Sequence, residues 1–244
     1  MQNVYIKIVQ GLRDYFGENG FKKAVIGLSG GIDSALTLKL AVDALKAENV
    51  TAIHMPDLGV TDRINSEHAQ TLAEYLGVHF EKVVINRFIT EFENLPWERT
   101  RTAMINVKAR VRSVILYDYA NSSGALVLGT SNKSEIKLGY GTKYGDLAAD
   151  IEVIGDLYKT QVYRLADFLK LPIELIEKAP SAELFKGQTD ASELGADYEV
   201  LDQILIALEK NYPVDAFDHN LVRDLKKRIK TNKHKTKMPV VLLI

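Results

Sequence analysis

Apolar positions along the chain recur in two rhythms. Four short runs, Ala24 to Leu28, Val50 to Met55, His79 to Ile85 and Ala125 to Leu128, are bounded by glycine, proline or polar residues. Such runs predict buried parallel strands. Between them the spacing turns helical. Leu38, Ala41, Val42 and Leu45 share one face at i, i+3, i+4 and i+7, and Ala69, Leu72, Ala73 and Leu76 repeat that spacing before Gly77. A longer helical pattern runs from about Thr100 to Tyr119, ahead of the fourth strand. Strand alternating with helix predicts right-handed βαβ units and an α/β fold, an open parallel sheet with helices on both faces. After residue 150 the chain reads mostly helical. Stripes at Val162, Leu165, Ala166 and Leu169, at Val200, Leu201, Ile204, Leu205 and Leu208, and at Val222, Leu225 and Ile229 carry that reading.

Composition narrows the field. The chain has 244 residues, 46% of them hydrophobic, and no composition break, so residues 1–244 read as a single α/β domain. Its 31 basic residues nearly balance 32 acidic ones, which gives no sign of a nucleic-acid or anionic-membrane partner. The opening MQNVYIKIVQ is too polar for a signal core, and no later run approaches the roughly eighteen apolar residues of a membrane span, so a cytoplasmic protein is expected. With no cysteine, the chain has no disulfide, thiolate metal site or cysteine nucleophile.

Ligands of open parallel sheets bind at the carboxyl ends of the strands, so the chemistry should lie in the loops after Leu28, Met55, Ile85 and Leu128. The first loop is Ser29-Gly30-Gly31-Ile32-Asp33-Ser34 and runs straight into a helix. Adjacent glycines let the backbone approach closely, and a helix start offers free N–H groups and about half a unit of positive charge, which together suit a phosphate. No GK[ST] follows, so there is no lysine of the Walker kind to escort a transferred γ-phosphoryl group. Such a cradle matches pyrophosphate gripped as it leaves, with chemistry at the α-phosphate. Asp33 then reads as a Mg²⁺ carboxylate. The alternative is a plain strand-to-helix turn with Asp33 or Ser34 as its cap.

After the fourth strand comes GTSNKSE, Gly129 to Glu135, followed by GYGTKYGDLAADIEVIGDLYKT up to Thr160. Rich in glycine and charge, this stretch predicts an irregular polar loop at the ligand end of the sheet. Thr130 follows the strand directly. Asp33 and Glu135, from two strand ends, can share a cation, and Lys143 and Lys159 can neutralise phosphate or carboxylate oxygens. Asp146, in the same loop, is a candidate catalytic base.

SGGIDS after a strand resembles the signature of the N-type ATP pyrophosphatases, which activate a carboxyl or carbonyl oxygen as an adenylate that a nitrogen or sulfur nucleophile then displaces. GTSNKSE, GTKYGDLAAD and LYKTQV, in this order, resemble the NAD synthetase branch, and the likeness extends from Gly27 to Lys235. The resemblance implies an adenine nucleotide alpha hydrolase-like, Rossmann-like fold and amidation of deamido-NAD⁺ with ATP and ammonia. It implies ATP contacts from Gly27, Leu28, Ser29, Gly30, Gly31, Ile32, Asp33, Ser34, Thr130, Lys159 and Ser181. It gives Mg²⁺ to Asp33 and Glu135. Deamido-NAD⁺ falls to Arg110, Lys143, Asp150, His234 and Lys235. It also implies a homodimer. Glutamine-using relatives add an amidase domain with a cysteine nucleophile, for which this chain has no thiol, so free ammonia is expected.

Two features stand beside these. Arg223 to Lys237 is a basic cluster without interleaved aromatics, better suited to a lid over bound nucleotides than to nucleic acid. Val240 to Ile244 is wholly apolar and is expected to pack against the body or a subunit partner. Other adenylating ATP pyrophosphatases and a non-catalytic nucleotide-binding module are the alternatives.

Overall fold

A computed structural model describes residues 1–181 and 189–242. The elements run α1 (Gln2–Glu18), β1 (Lys23–Gly27), α2 (Ile32–Leu45), β2 (Val50–His54), α3 (Arg63–Leu76), β3 (His79–Lys82), α4 (Asn86–Ile89), α5 (Arg101–Ser123), β4 (Ala125–Gly129) and α6 (Lys133–Leu138). They continue through β5 (Ile151–Glu152), α7 (Lys159–Phe168), α8 (Ile173–Glu177), α9 (Asp190–Leu194), α10 (Tyr198–Glu209) and α11 (His219–Asn232).

The five strands form one parallel sheet in the order β3-β2-β1-β4-β5. The chain lays down β1 to β3 in one direction, then crosses back to place β4 on the other side of β1. The crevice of such a sheet opens at that reversal, between the carboxyl ends of β1 and β4.

Alternation along the strands divides the core. Ala24, Ile26 and Leu28 pack with α1, α2 and α7, whereas Val25, Ile53 and Val127 face the other way against α5. The expected layers, helices on both faces of a parallel sheet, are therefore present. Leu36, Leu38 and Leu40 on α2 are fully buried, each contributing roughly 1.5–3 kcal/mol by leaving water. That fixes the helix carrying Asp33. α5 begins where Thr100 Oγ1 accepts the Ala103 N–H at 3.2 Å and ends on Gly124 at φ 67°, as capping chemistry dictates. A second core joins α10 and α11 to Leu138 and Tyr158, so the helical C-terminal part packs on the loops that follow β4.

Several expectations need correcting. α1 has no counterpart in the sequence reading, although Val9, Leu12 and Phe16 repeat at i, i+3 and i+7 and are buried. β3 stops at Lys82 instead of Ile85: the Val83 and Ile85 N–H groups still reach His54 O and Pro56 O at 2.9 and 3.1 Å, but Pro56 has no N–H with which to continue the ladder. The stretch from 129 to 159 is not irregular throughout, since it contains α6 and β5. Asn132 and Glu135 form a capping box that starts α6, and Leu128 and Gly129 pair with Ile151 and Glu152. The apolar tail does not pack against the body as far as it is described, since Val240 and Leu242 are 85% and 86% exposed. Among the described residues, no helix is long and apolar enough to cross a membrane.

Candidate active site

The turn after β1 is held by its own hydroxyls. Ser34 Oγ donates to Gly31 O at 3.0 Å and accepts the Ser29 N–H at 3.2 Å, while Ser29 Oγ accepts the Gly31 N–H at 3.1 Å. Gly30 sits at φ 84°, and a Cβ there would stand 2.2 Å from Asn65 O on α3. Only glycine allows that approach. No side chain caps α2, so its first turn presents backbone N–H groups toward the crevice.

Three elements bring charge to the same point. Asp33, in the first turn of α2, pairs through Oδ2 with the Lys159 ammonium at the start of α7 and accepts Asn132 Nδ2–H on Oδ1 at 3.0 Å. Glu135 Oε1 lies 3.9 Å from Lys159 Nζ, and Oε2 accepts the Asn132 N–H at 3.1 Å. Asn132 thus braces both carboxylates. Burial would lower the Lys159 pKa, but the Asp33 and Glu135 charges override it and raise it, so this lysine stays a cation. Burial, reinforced by the Asp33 charge, pushes the Glu135 carboxyl well above its ordinary range. The cluster is short of positive charge.

A cavity of about 520 Å³ opens beside it, within the usual size for small-molecule sites. Gly27, Leu28, Ser29, Gly31, Ile32, Asp33, Ser34, Thr130, Glu135, Asp146, Lys159, Ser181 and Lys235 all line it, so the crevice gathers nearly all the residues expected to hold ATP and the metal. Gly30 lies behind the wall, against α3. Asp146 lines the cavity with its side chain partly open to solvent, accepts the Thr142 N–H at 2.9 Å and has its pKa raised, chiefly by the protein around its carboxyl group.

The residues expected to hold the dinucleotide divide. Lys235 lines the cavity and donates to Gly139 O and Gly141 O at 2.9 and 3.0 Å. Lys143 and His234 line a separate surface depression, where Lys143 Nζ donates to His234 O at 2.8 Å. Arg110 is exposed and donates to Lys143 O at 3.3 Å. Asp150 accepts the Val127 N–H at 2.7 Å, fastening the 145–150 loop to β4.

Residues not singled out in the sequence also enter the site. Asn132 had a signal, the capping-box spacing to Glu135. His54, at the end of β2, lines the cavity; its Nδ1 faces Leu28 O at 2.8 Å, an acceptor, so Nδ1 carries the proton. Burial lowers its pKa and keeps the ring neutral. Tyr140 and Asp190 also face the cavity, joined by a 3.1 Å hydrogen bond from the phenol. They come from segments 50 residues apart, so neither had a local signal.

An uncapped helix start behind a glycine turn, with a carboxylate and lysine cluster at the reversal of a parallel sheet, defines a nucleotide-binding α/β protein that handles a polyphosphate. Within that class the chain belongs to the NAD synthase family, whose profile matches residues 4–239. It is 43% identical to an NH(3)-dependent NAD(+) synthetase of Fusobacterium nucleatum, over 100% of this chain and 96% of the relative. The fold matches an NH3-dependent NAD synthetase from Campylobacter jejuni, solved in complex with a nitrate ion, with a TM-score of 0.86 and 36% identity over 99% of this chain and 98% of that one. It also matches an NMN synthetase from Francisella tularensis, with a TM-score of 0.91 and 31% identity over 100% and 98% of the two chains.

Proposed function

We propose that this protein amidates deamido-NAD⁺ with free ammonia at the expense of ATP, releasing NAD⁺, AMP and pyrophosphate. The observation that carries the reading is the meeting of Asp33, Glu135 and Lys159 beside the glycine turn, in a chain matched to the NAD synthase family over residues 4–239.

Two bonds are made. A carboxylate oxygen of the nicotinate attacks the α-phosphorus, and the bond from that phosphorus to the bridging oxygen breaks as pyrophosphate leaves. Ammonia then attacks the carbonyl carbon of the mixed anhydride, AMP departs with the bridging oxygen, and the excess proton leaves the nitrogen. The first turn of α2, set in place by the turn at 29–31, grips the phosphates through backbone N–H groups. Lys159 neutralises charge that grows at the α-phosphate. Asp146 binds ammonium and takes the proton; its raised pKa suits a group that must both hold and release one. Arg110, Lys143, Asp150, His234 and Lys235 serve the dinucleotide, with the basic tail as its cover.

Mg²⁺ fits the cluster at Asp33 and Glu135, two hard oxygen ligands that face a single lysine. Among the described residues no group of three or more acidic, His or Cys side chains gathers, so such an ion would lean on ATP oxygens and water, as Mg²⁺ commonly does. When bound, it supplies charge neutralisation of the pyrophosphate leaving group.

We further read the protein as a cytoplasmic homodimer in which residues 1–244 act as one domain. Support for the dimer comes from the exposed apolar stretch at Val240–Leu242, which finds no cover among the described residues. Light scattering tests it. The function itself is tested by pyrophosphate release and NAD⁺ formation from ATP, deamido-NAD⁺ and ammonium. ATP binding without pyrophosphate release would overturn it in favour of a non-catalytic nucleotide module. NMN formation outpacing NAD⁺ formation would shift the reading toward an NMN synthetase, the name carried by the Francisella relative.

A further inference from the structure

On α10, Tyr198, Asp202 and Glu209 fall on one stripe, since steps of four and eleven residues return to nearly the same face of a helix. All three reach the loops after β4. Tyr198 O–H donates to Asp190 Oδ2 at 2.9 Å, and the Lys159 ammonium stands 5.4 Å from the Tyr198 ring centre. Glu209 accepts the Tyr158 phenol at 2.5 Å. Asp202, between them, is 2% exposed and uses both carboxylate oxygens. Oδ1 accepts Ser134 Oγ–H at 2.5 Å, and Oδ2 accepts the Thr160 N–H at 2.8 Å. Ser134 Oγ in turn accepts the Lys159 N–H at 3.0 Å.

We infer that Asp202 is a positioning residue for the reaction, which through Ser134 and the Thr160 N–H sets the spacing between Glu135 on α6 and Lys159 on α7. The inference rests on the proposed roles of Glu135 and Lys159 at the phosphates. Ser134 immediately precedes Glu135, and Thr160 immediately follows Lys159, so one buried carboxylate governs both backbones. It also caps the first turn of α7, where no local side chain donates or accepts for the N–H of Thr160, and a negative charge there is favoured by the helix dipole. An amide in its place keeps the shape and can still accept the Thr160 N–H, but it carries no charge and can only donate toward Ser134, whose hydroxyl then loses its acceptor. Catalytic groups tolerate little displacement, and an error near 1 Å costs on the order of a hundredfold.

The test compares Asp202→Asn with Leu205→Ala, a core change on the same helix that removes none of these hydrogen bonds. Both are measured well below their melting temperatures by single-turnover pyrophosphate release. Asp202→Asn should lower the adenylation rate by at least tenfold and leave KM for deamido-NAD⁺ within twofold. Leu205→Ala should melt earlier yet keep its rate within twofold. If Asp202→Asn does not fold, Ser134→Ala breaks the same chain of hydrogen bonds and should lower the rate at least threefold. Losses no greater than those of Leu205→Ala overturn the inference. Lys159→Met is run alongside. Full adenylation by that variant would instead overturn the reading of the site on which the inference stands.

Discussion

Gly30 and Gly31 are neighbours in one turn, yet the structure assigns them unequal costs when each is replaced by alanine. Gly30 has φ 84°, and its added Cβ would sit 2.2 Å from Asn65 O and 2.9 Å from both Asn65 C and Asn65 Cα, all backbone atoms of a buried residue in α3. Left-handed backbone costs an alanine about 1–2 kcal/mol. Pushing two packed segments apart adds about 1–3 kcal/mol. A total near 3 kcal/mol corresponds to a melting temperature lower by roughly 6–12 °C in a domain of this size. Gly31 has φ −99°, and its Cβ would meet only Ser29 Oγ at 3.3 Å, a side-chain contact that a small shift relieves. Its cost should stay below about 1 kcal/mol, or roughly 4 °C. Calorimetry on the two variants, with ATP titrated into each, measures both consequences. Gly30→Ala should also weaken ATP by at least tenfold, because relief of the clash moves the turn that holds Ser29 and the start of α2. Equal stability of the two variants would refute the argument that close approach to α3 is what demands glycine.

Lys159→Met should cost about 3 kcal/mol by leaving the half-buried Asp33 carboxylate without its cation, and it should reduce adenylation by two orders of magnitude or more. Adding Asp33→Asn to it should restore most of the stability and none of the activity, as read by denaturant titration beside pyrophosphate release. Asp146→Asn should depress amide formation more than pyrophosphate release, and equal loss of both removes Asp146 from the second step. Glu152, held under Gly129 with Oε2 accepting the Ser131 N–H at 3.1 Å, has its carboxyl pushed up to about 7 by burial. A folded-state pKa above the unfolded one means that the native state binds the extra proton, so this group makes the protein less stable as pH rises from about 4.5 to 7. Glu152→Gln can still accept the Ser131 N–H and should gain about 2 kcal/mol over the parent at pH 8 but not at pH 4.5, measured by urea unfolding at both pH values.

What the sequence disclosed follows the range of the interactions involved. The turn Ser29–Ser34 was legible because its conformation is made locally, by glycines and by hydroxyls two to five residues apart. Glu135 was legible for a similar reason, and Asn132 would have been, since a capping box spans only three residues. α1 has a local signal of the same kind, since its buried positions keep helical spacing. Lys159 could be named as a cation near the phosphates, but nothing local to it says how its position is fixed. That information lies on Asp202, 42 residues beyond its partner Thr160, and on Ser134, far upstream. Tyr140 and Asp190 are distant in the same way. Local chemistry therefore reveals which groups can act, whereas their spacing is written in the packing of α10 against α6 and α7. A graft of SGGIDS and GTSNKSE onto another parallel sheet should accordingly bind phosphate through its helix start. Without the α10 stripe it should not hold Glu135 and Lys159 at a working distance, and it should release no pyrophosphate.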